Sequence, residues 1–121
     1  MQDNTIVQQL SQALYDNKGR NIVALDVHEL TVICDWMVIA SGRNANQVKA
    51  LADDVDECAA KLGLPLRRSE GQTDGRWVIL DYGHIIVHIF HQEDREYYNL
   101  ERLWEDGNNR VVLPFDQTIP D

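Results

Sequence analysis

Two stretches of the chain repeat apolar residues at the spacing of an α-helix. Between Asn4 and Asn17, the apolar positions that share one helical face are Ile6, Val7, Leu10, Ala13 and Leu14. After Asn44 or Asn46, either of which can cap a helix, the stripe comprises Val48, Leu51, Ala52, Val55, Ala59 and Leu62. Gly63 then provides a C-terminal stop. These patterns predict two amphipathic helices that each pack one face on a core.

Shorter apolar segments have the composition of β-strands. They cover residues 21–27, 36–40, 66–70, 77–82 and 85–90. The segment 36–40, WMVIA, is apolar throughout, which is typical of a strand buried on both faces. The last two segments flank Gly83 and are rich in β-branched and aromatic residues, so they predict a β-hairpin.

The chain after the hairpin predicts one further helix, from Gln92 to Trp104, with two acidic residues in its first turn. Its inward face is expected to carry Tyr97, Leu100, Leu103 and Trp104. Glycine, asparagine and proline are frequent beyond Trp104, so we expect residues 105–121 to form a loosely ordered extension. Within it, the apolar segment 111–115 could dock on the body.

The predicted order of elements is αββαβββα, which defines an α+β fold. We expect a single mixed β-sheet of about five strands packed with helices. A chain of 121 residues suits one domain. We assign residues 1–104 to that domain and residues 105–121 to the C-terminal extension.

Charge and composition narrow the possible partners. The chain has 20 acidic and 11 basic residues, a net charge of −9, which works against direct nucleic-acid binding and favours a basic protein surface. No apolar run approaches the roughly 20 residues of a membrane span, and the N-terminus does not resemble a signal peptide. Cys34 and Cys58 have no motif spacing, so we expect reduced thiols in a cytoplasmic protein.

Three histidines of the hairpin region, His84, His88 and His91, would share a face on a helix and could then bind a metal ion. The residues between them favour a strand, however. On a strand, His84 and His88 lie about 13 Å apart at ~3.3 Å per residue, and His91 has the opposite parity. We therefore expect no metal site here.

The pair Ser41-Gly42 ends a predicted strand and precedes a predicted helix, as in nucleotide-transferring enzymes. Such enzymes also need neighbouring carboxylates to hold magnesium, and the sequence after Gly42 has none at the expected positions. Asp54 and Asp56 diverge by about 200° on a helix. We expect a structural turn, with no catalytic residues and no cofactor. A degenerate nucleotidyltransferase-like enzyme is the alternative.

Aromatic and acidic residues around the hairpin suggest a surface that binds a protein. Trp77 stands at the start of a strand beside a polar loop; burial in the core is its other interpretation. Tryptophan and tyrosine are common interface anchors. We hypothesise that Trp77, Tyr82 and Tyr98 form a contact patch with Glu70 and Asp81 on its acidic rim. A dimerisation or adaptor domain would use such a patch equally well.

Three blocks of the sequence resemble the Iojap family, the bacterial ribosomal silencing factors. They are residues 25–27, 34–55 and 77–104. The third block is the most specific, because it contains the DYG turn, the VHIFH strand and the YYNLERLW helix. The resemblance covers roughly residues 4–104.

The resemblance implies a non-enzymatic factor that binds the large ribosomal subunit, chiefly through ribosomal protein number fourteen. Bound there, it would block joining of the small subunit and lower translation when nutrients are scarce. It also implies a fold related to nucleotidyltransferases without their catalytic site, and a possible homodimer. The extension after Trp104 departs from the compact family pattern, and we expect no essential role for it in ribosome binding.

Overall fold

The computed structural model describes residues 4–117 and has one β-sheet with helices packed on it. Its elements are α1 (Thr5–Asp16), β1 (Arg20–Asp26), β2 (Trp36–Gly42), α2 (Ala45–Lys61), β3 (Arg68–Glu70), β4 (Trp77–Asp81), β5 (Ile85–His91), α3 (Gln92–Tyr98) and α4 (Leu100–Trp104). The sheet has five strands in the order β1-β2-β5-β4-β3. The predicted α+β class with a single mixed sheet is confirmed.

The sheet is mixed because β2 and β5 run parallel, whereas every other neighbouring pair is antiparallel. The predicted hairpin is confirmed as β4 and β5. At its turn, the carboxylate of Asp81 accepts the N–H of Gly83 at 2.8 Å, and Gly83 has a φ of 91° that favours glycine. The predicted strand 66–70 is shorter than expected, since only 68–70 pair and all three residues are exposed.

The helices α1 and α2 cover one face of the sheet. Their apolar stripes pack against inward residues of the strands and form the larger core. Asn44 caps α2 as expected, since its side chain accepts the N–H of Gln47. Along β4, Val78 and Leu80 point into this core, and the alternate residues point to the other face because successive side chains of a strand alternate.

The other face of the sheet is covered only in part. A second cluster of buried residues lies there: Val23, Leu25, Val27, Cys34, Met37, Ile39, Phe90 and Leu100. Trp77, Ile86 and Trp104 pack against it and are half-buried. The short helices α3 and α4 therefore leave part of this face accessible, and we call it the open face.

The helix predicted from Gln92 to Trp104 is broken at Asn99, so the prediction of one continuous helix was wrong. Asn99 has a φ of 47°, in the left-handed region that asparagine tolerates better than most residues. The change of direction buries Leu100 but leaves Tyr97 80% and Leu103 74% exposed. The predicted inward face is therefore right for Leu100 and Trp104 and wrong for Tyr97 and Leu103.

The segment after α4 packs on the body of the protein. Arg110 forms a β-bridge with Leu25, and Val111, Leu113 and Phe115 pack against the larger core. The docking that we considered for residues 111–115 is thus present, and the chain is held to the body as far as Gln117. The remainder of the predicted extension, residues 118–121, lies outside the described residues.

Both cysteines are free thiols, as predicted. Burial raises the pKa of Cys34 to about 11. No helix within residues 4–117 is long and apolar enough to cross a membrane.

Candidate functional site

Four aromatic residues form a cluster on the open face. Trp77 stacks on Phe90 with ring centroids 4.7 Å apart, and Tyr98 lies 4.9 Å from Trp77. Tyr97 meets Tyr98 edge-on at 5.0 Å and 88°. Phe90 is fully buried, Trp77 is half-buried, Tyr98 is 48% exposed and Tyr97 80% exposed. This aromatic cluster (Trp77, Phe90, Tyr97 and Tyr98) thus extends from the core to the surface.

The register of the sheet sets the position of Trp77. It pairs with Phe90 across β4 and β5, so the two side chains share a face and touch. The preceding loop can approach this strand only through a glycine. Gly71 has a φ of 90°, and a Cβ there would lie 2.0 Å from the carbonyl oxygen of Trp77.

His88 fixes the orientation of the Trp77 indole ring through a hydrogen bond. The indole N–H, which can only donate, lies 3.1 Å from Nδ1 of His88. Nδ1 must therefore accept, and the imidazole carries its proton on Nε2. Because His88 is 8% exposed, burial lowers its pKa to about 4, so the ring is neutral at physiological pH.

The helix α3 is attached to the sheet at its first turn. His91 is its N-cap and accepts the N–H of Glu93 at 3.2 Å. Arg76 donates two hydrogen bonds to Asp94, at 2.8 and 2.9 Å, and one to Glu93 at 3.3 Å. The hydrogen bond from Arg76 lowers the pKa of Asp94. These contacts fix the helix that presents Tyr97 and Tyr98.

A buried arginine attaches the same helix to the end of β2. Arg95 is 7% exposed, and its guanidinium donates to both carboxylate oxygens of Glu101, the hydroxyl of Ser41 and the carbonyl of Asn21. The distances run from 2.7 to 3.2 Å. Arg95 therefore joins α3, α4 and two strands. Sequence reasoning missed it, because nothing local distinguishes this arginine from an exposed one.

The Ser41-Gly42 turn has a packing role in this arrangement. The hydroxyl of Ser41 is buried and receives Arg95. A Cβ at Gly42 would lie 3.0 Å from both Cγ2 and the backbone nitrogen of Val48, so glycine allows α2 to start close to the strand. The turn is thus occupied by contacts within the protein, as expected for a structural turn.

The five residues of the predicted contact patch do not form one surface. Trp77 and Tyr98 are in contact, and Asp81 lies on the same face of β4 as Trp77. Glu70 pairs with Ile79 and so shares that face. Tyr82 lies on the opposite face: it is 5% exposed and its hydroxyl donates to Asp56 at 2.9 Å.

The position of Tyr82 follows from strand alternation. It comes one residue after Asp81, so its side chain turns toward α2 and belongs to the larger core. Burial and the hydrogen bond to Asp56 raise the pKa of the Tyr82 phenol. The residue that belongs with Trp77 and Tyr98 instead is Tyr97, which the unbroken helical repeat had assigned to the interior.

The three histidines of the hairpin region have three different partners. His84 is exposed and lies 3.0 Å from the carboxylate of Asp35, His88 accepts from Trp77, and His91 caps α3. Among residues 4–117, no group of three histidine, cysteine, aspartate or glutamate side chains is placed to share a metal ion.

Comparisons of the sequence with known proteins agree on one family. The sequence profile described as "Ribosomal silencing factor during starvation" matches residues 1–120. A protein named "Ribosomal silencing factor RsfS" from Halalkalibacterium halodurans is 37% identical over 88% of this chain and 92% of its own length. The Arabidopsis thaliana "Protein Iojap-related, mitochondrial" is 31% identical over 79% of this chain and 54% of its own length.

Comparison of the fold with solved structures agrees with the sequence comparison. A crystal structure of a protein from Chromobacterium violaceum superposes with a TM-score of 0.82 at 34% identity, covering 98% of this chain and 97% of the other. The resemblance inferred from the DYG, VHIFH and YYNLERLW blocks is therefore confirmed. Both sequence and fold show that this chain belongs to the family of ribosomal silencing factors during starvation.

Proposed function

We propose that this protein silences ribosomes by binding the large subunit through ribosomal protein number fourteen, which prevents the small subunit from joining. Translation would then fall when nutrients are scarce. Family membership supports the ribosomal role, and the partner and the blocked step are what the sequence resemblance implies. The chain acts in this proposal without catalysis, in the cytoplasm, where it meets free subunits.

The observation that carries the proposal is the aromatic cluster on the open face. Tryptophan and tyrosine bring large apolar area and a polar tip to an interface at a small cost in side-chain entropy. Here they are held in place by stacking on Phe90 and by the contact of Trp77 with His88. A partner would therefore meet a surface that is already ordered, which reduces the entropy lost on binding.

The charge of the surface suits a basic partner. The chain carries a net charge of −9, and acidic side chains border the open face. Glu70 and Glu93 keep 62% and 69% of their side-chain surface exposed. Opposite charges on the partner would speed encounter and fix orientation, whereas a phosphate backbone alone would be repelled.

To exclude the small subunit sterically, the protein needs only to occupy its binding site on the large subunit. A standard interface buries about 800 Å² on each partner. The described chain exposes 7109 Å². Binding of that size would cover about a ninth of the surface, and the bulk of the domain would project from the ribosome where the other subunit approaches.

The proposal is tested by mixing purified ribosomal subunits with the protein and separating them on a sucrose gradient. We expect the wild type to migrate with the large subunit and to reduce the peak of joined ribosomes. Tyr98→Ala should weaken both effects by about tenfold or more, as for an anchor residue worth more than ~1.4 kcal/mol. A wild-type protein that leaves subunit joining unchanged at saturation contradicts the proposal.

A charge reversal tests the orientation. Asp81→Lys would reverse a charge of the predicted acidic rim, but Asp81 also accepts the N–H of Gly83 in the hairpin turn. Glu70→Lys avoids this problem because Glu70 is exposed and on the same face. We expect it to weaken binding more than the matched change Asp53→Lys on the exposed surface of α2. Equal losses would place the contact elsewhere.

The possible homodimer also remains a proposal. Sedimentation of the purified protein across a range of concentrations tests it. Association that depends on Tyr97 or Tyr98 would mean that a second copy and the ribosome compete for the open face. If the protein associates in this way but does not bind ribosomes, the plain dimerisation domain is the better interpretation of that surface.

A further inference from the structure

The two edges of the sheet differ in how they are protected from pairing with another strand. The β3 edge is three residues long, fully exposed, and bears Arg68 and Glu70. Short, charged edges pair poorly with other chains. The β1 edge is seven residues long, and Ile22, Val23, Ala24 and Leu25 within it are buried. Such an edge, if open, is a template for strand addition.

The C-terminal segment occupies the β1 edge. Its residues bond to alternate residues of β1, whose N–H and carbonyl groups face outward. The N–H of Asp26 donates to the carbonyl of Asn109 at 2.8 Å, and the carbonyl of Ala24 accepts the N–H of Val111 at 2.8 Å. We call residues 109–117 the edge cover.

Side-chain amides complete the pairing where the backbone of the edge cover leaves the strand. The side chain of Gln117 accepts the N–H of Ile22 at 2.7 Å and donates to its carbonyl at 2.8 Å, as a neighbouring strand would. The side chain of Asn109 donates to the carbonyl of Asp26 at 3.0 Å. The N–H and carbonyl groups of Ile22 and Asp26 and the carbonyl of Ala24 are thus bonded to one segment of the same chain.

Packing holds the edge cover in place. Phe115 stacks on Tyr15 with ring centroids 4.3 Å apart and an angle of 14°. The side chain of Gln8 donates to the carbonyl of Val112 at 2.8 Å. Both contacts join the edge cover to α1, so its apolar residues close the side of the larger core next to β1.

We propose that the edge cover blocks a pairing surface, and that the partner this surface fits is β1 of a second copy of this chain. The open edge would present a strand of seven residues, four of them apolar and buried, to an identical strand, which pairs antiparallel about a two-fold axis. The C-terminal segment therefore does more than extend the domain: it prevents two sheets from joining edge to edge. This role is separate from the proposed ribosome contact on the open face.

The test uses the full chain with the edge cover loosened. Val111→Pro removes the N–H that bonds Ala24, and Gln117→Ala removes both bonds to Ile22. In the double variant we expect the amides of Ile22 and Asp26 to exchange hydrogen on the order of tenfold faster than in the wild type at low concentration. At high concentration we expect a species of twice the wild-type mass in which these two amides are protected again.

Two further variants control the experiment. Gln12→Ala removes a glutamine whose side chain donates to Asp16 within α1, and it should change neither exchange nor mass. The single variant Gln117→Ala leaves the apolar contacts intact and serves if the double variant does not fold. It should speed exchange at Ile22 more than at Asp26.

Each result decides the proposal. Faster exchange together with concentration-dependent association that protects Ile22 and Asp26 supports it. A folded variant that stays at the wild-type mass at all concentrations overturns it. Unchanged exchange at both amides also overturns it, because another contact would then protect the edge. Association that leaves the two amides unprotected overturns the choice of β1 as the pairing strand.

Discussion

The indole N–H of Trp77 and Nδ1 of His88 lie 3.1 Å apart beneath the aromatic cluster. The contact ties a half-buried tryptophan to a histidine that is 8% exposed. Since protonation of Nδ1 would remove the acceptor, the order of the proposed binding surface depends on a neutral imidazole.

The first prediction concerns pH. The pKa of His88 is about 4 in the folded protein, below its ordinary value of 6.5. Above pH 6.5 the group is neutral in both states and has no effect. As the pH falls from 6.5 to 4, the unfolded chain binds the proton first, so the free energy of unfolding decreases by up to roughly 3 kcal/mol.

Urea unfolding between pH 4.5 and 7.5 measures this effect. The variant His88→Asn keeps an acceptor for Trp77 but does not titrate, so its free energy of unfolding should lose this part of the slope. His28, His84 and His91 remain in both proteins, and their contributions cancel in the comparison. If the free energy of unfolding changes with pH in the same way in the wild type and in His88→Asn, folding does not lower the pKa of His88.

The second prediction separates two tyrosines that the sequence had grouped. Tyr82→Phe removes the hydrogen bond to Asp56 and should lower the free energy of unfolding by about 1 kcal/mol, while ribosome binding stays unchanged. Tyr98→Phe keeps the ring stacked near Trp77 and serves as the matched exposed change, with little effect on stability. Loss of binding in Tyr82→Phe without unfolding would contradict the assignment of Tyr82 to the core.

The third prediction concerns the loop before Trp77. Gly71→Ala combines a φ of 90° with a Cβ 2.0 Å from the Trp77 carbonyl, so the loop must move. We expect a loss of at least about 2 kcal/mol in the free energy of unfolding. Gly63→Ala is the control: its φ is 77°, but no atom lies within 4 Å, so only the left-handed backbone costs energy, about 1 kcal/mol. Equal losses in chemical denaturation would show that the close approach does not matter.

The fourth prediction compares two arginines that hold α3. Arg95→Met leaves the carboxylate of Glu101 without its buried partner and should cost roughly 3 kcal/mol or more. Arg76→Met removes a pair in which Arg76 is 44% exposed, and solvent screening makes its loss of stability much smaller than that of Arg95→Met. Thermal and urea unfolding measure both.

A second change tests the cause of the Arg95 effect. If the loss reflects the unpaired carboxylate, Glu101→Gln added to Arg95→Met should recover part of it, because a neutral amide is less costly to bury than a charge. The double variant should still bind ribosomes less tightly, since α3 is no longer attached to Ser41. No recovery in the double variant would mean that Arg95 acts through its contacts with Ser41 and Asn21 alone.

Much of the fold followed from the local pattern of the chain. The helical stripe before Asn17, the cap at Asn44 and the hairpin about Gly83 depend on residues that are close in sequence, so spacing alone predicted them. The family also followed from local blocks, because the DYG, VHIFH and YYNLERLW motifs are contiguous.

The surface was decided by contacts between distant residues. The sheet register placed Tyr82 behind the strand and Trp77 in front of it. The left-handed Asn99 and the buried Arg95 turned Tyr97 outward, against the helical repeat.

The C-terminal segment shows the same limit. Its composition predicted loose order, whereas its pairing with β1 joins residues more than 80 positions apart, such as Asp26 and Asn109. Apolar spacing along the sequence determined which faces are buried within each element. Only the tertiary structure decided which elements meet, because the hydrogen bonds and packing that choose among partners arise after the chain has brought distant residues together.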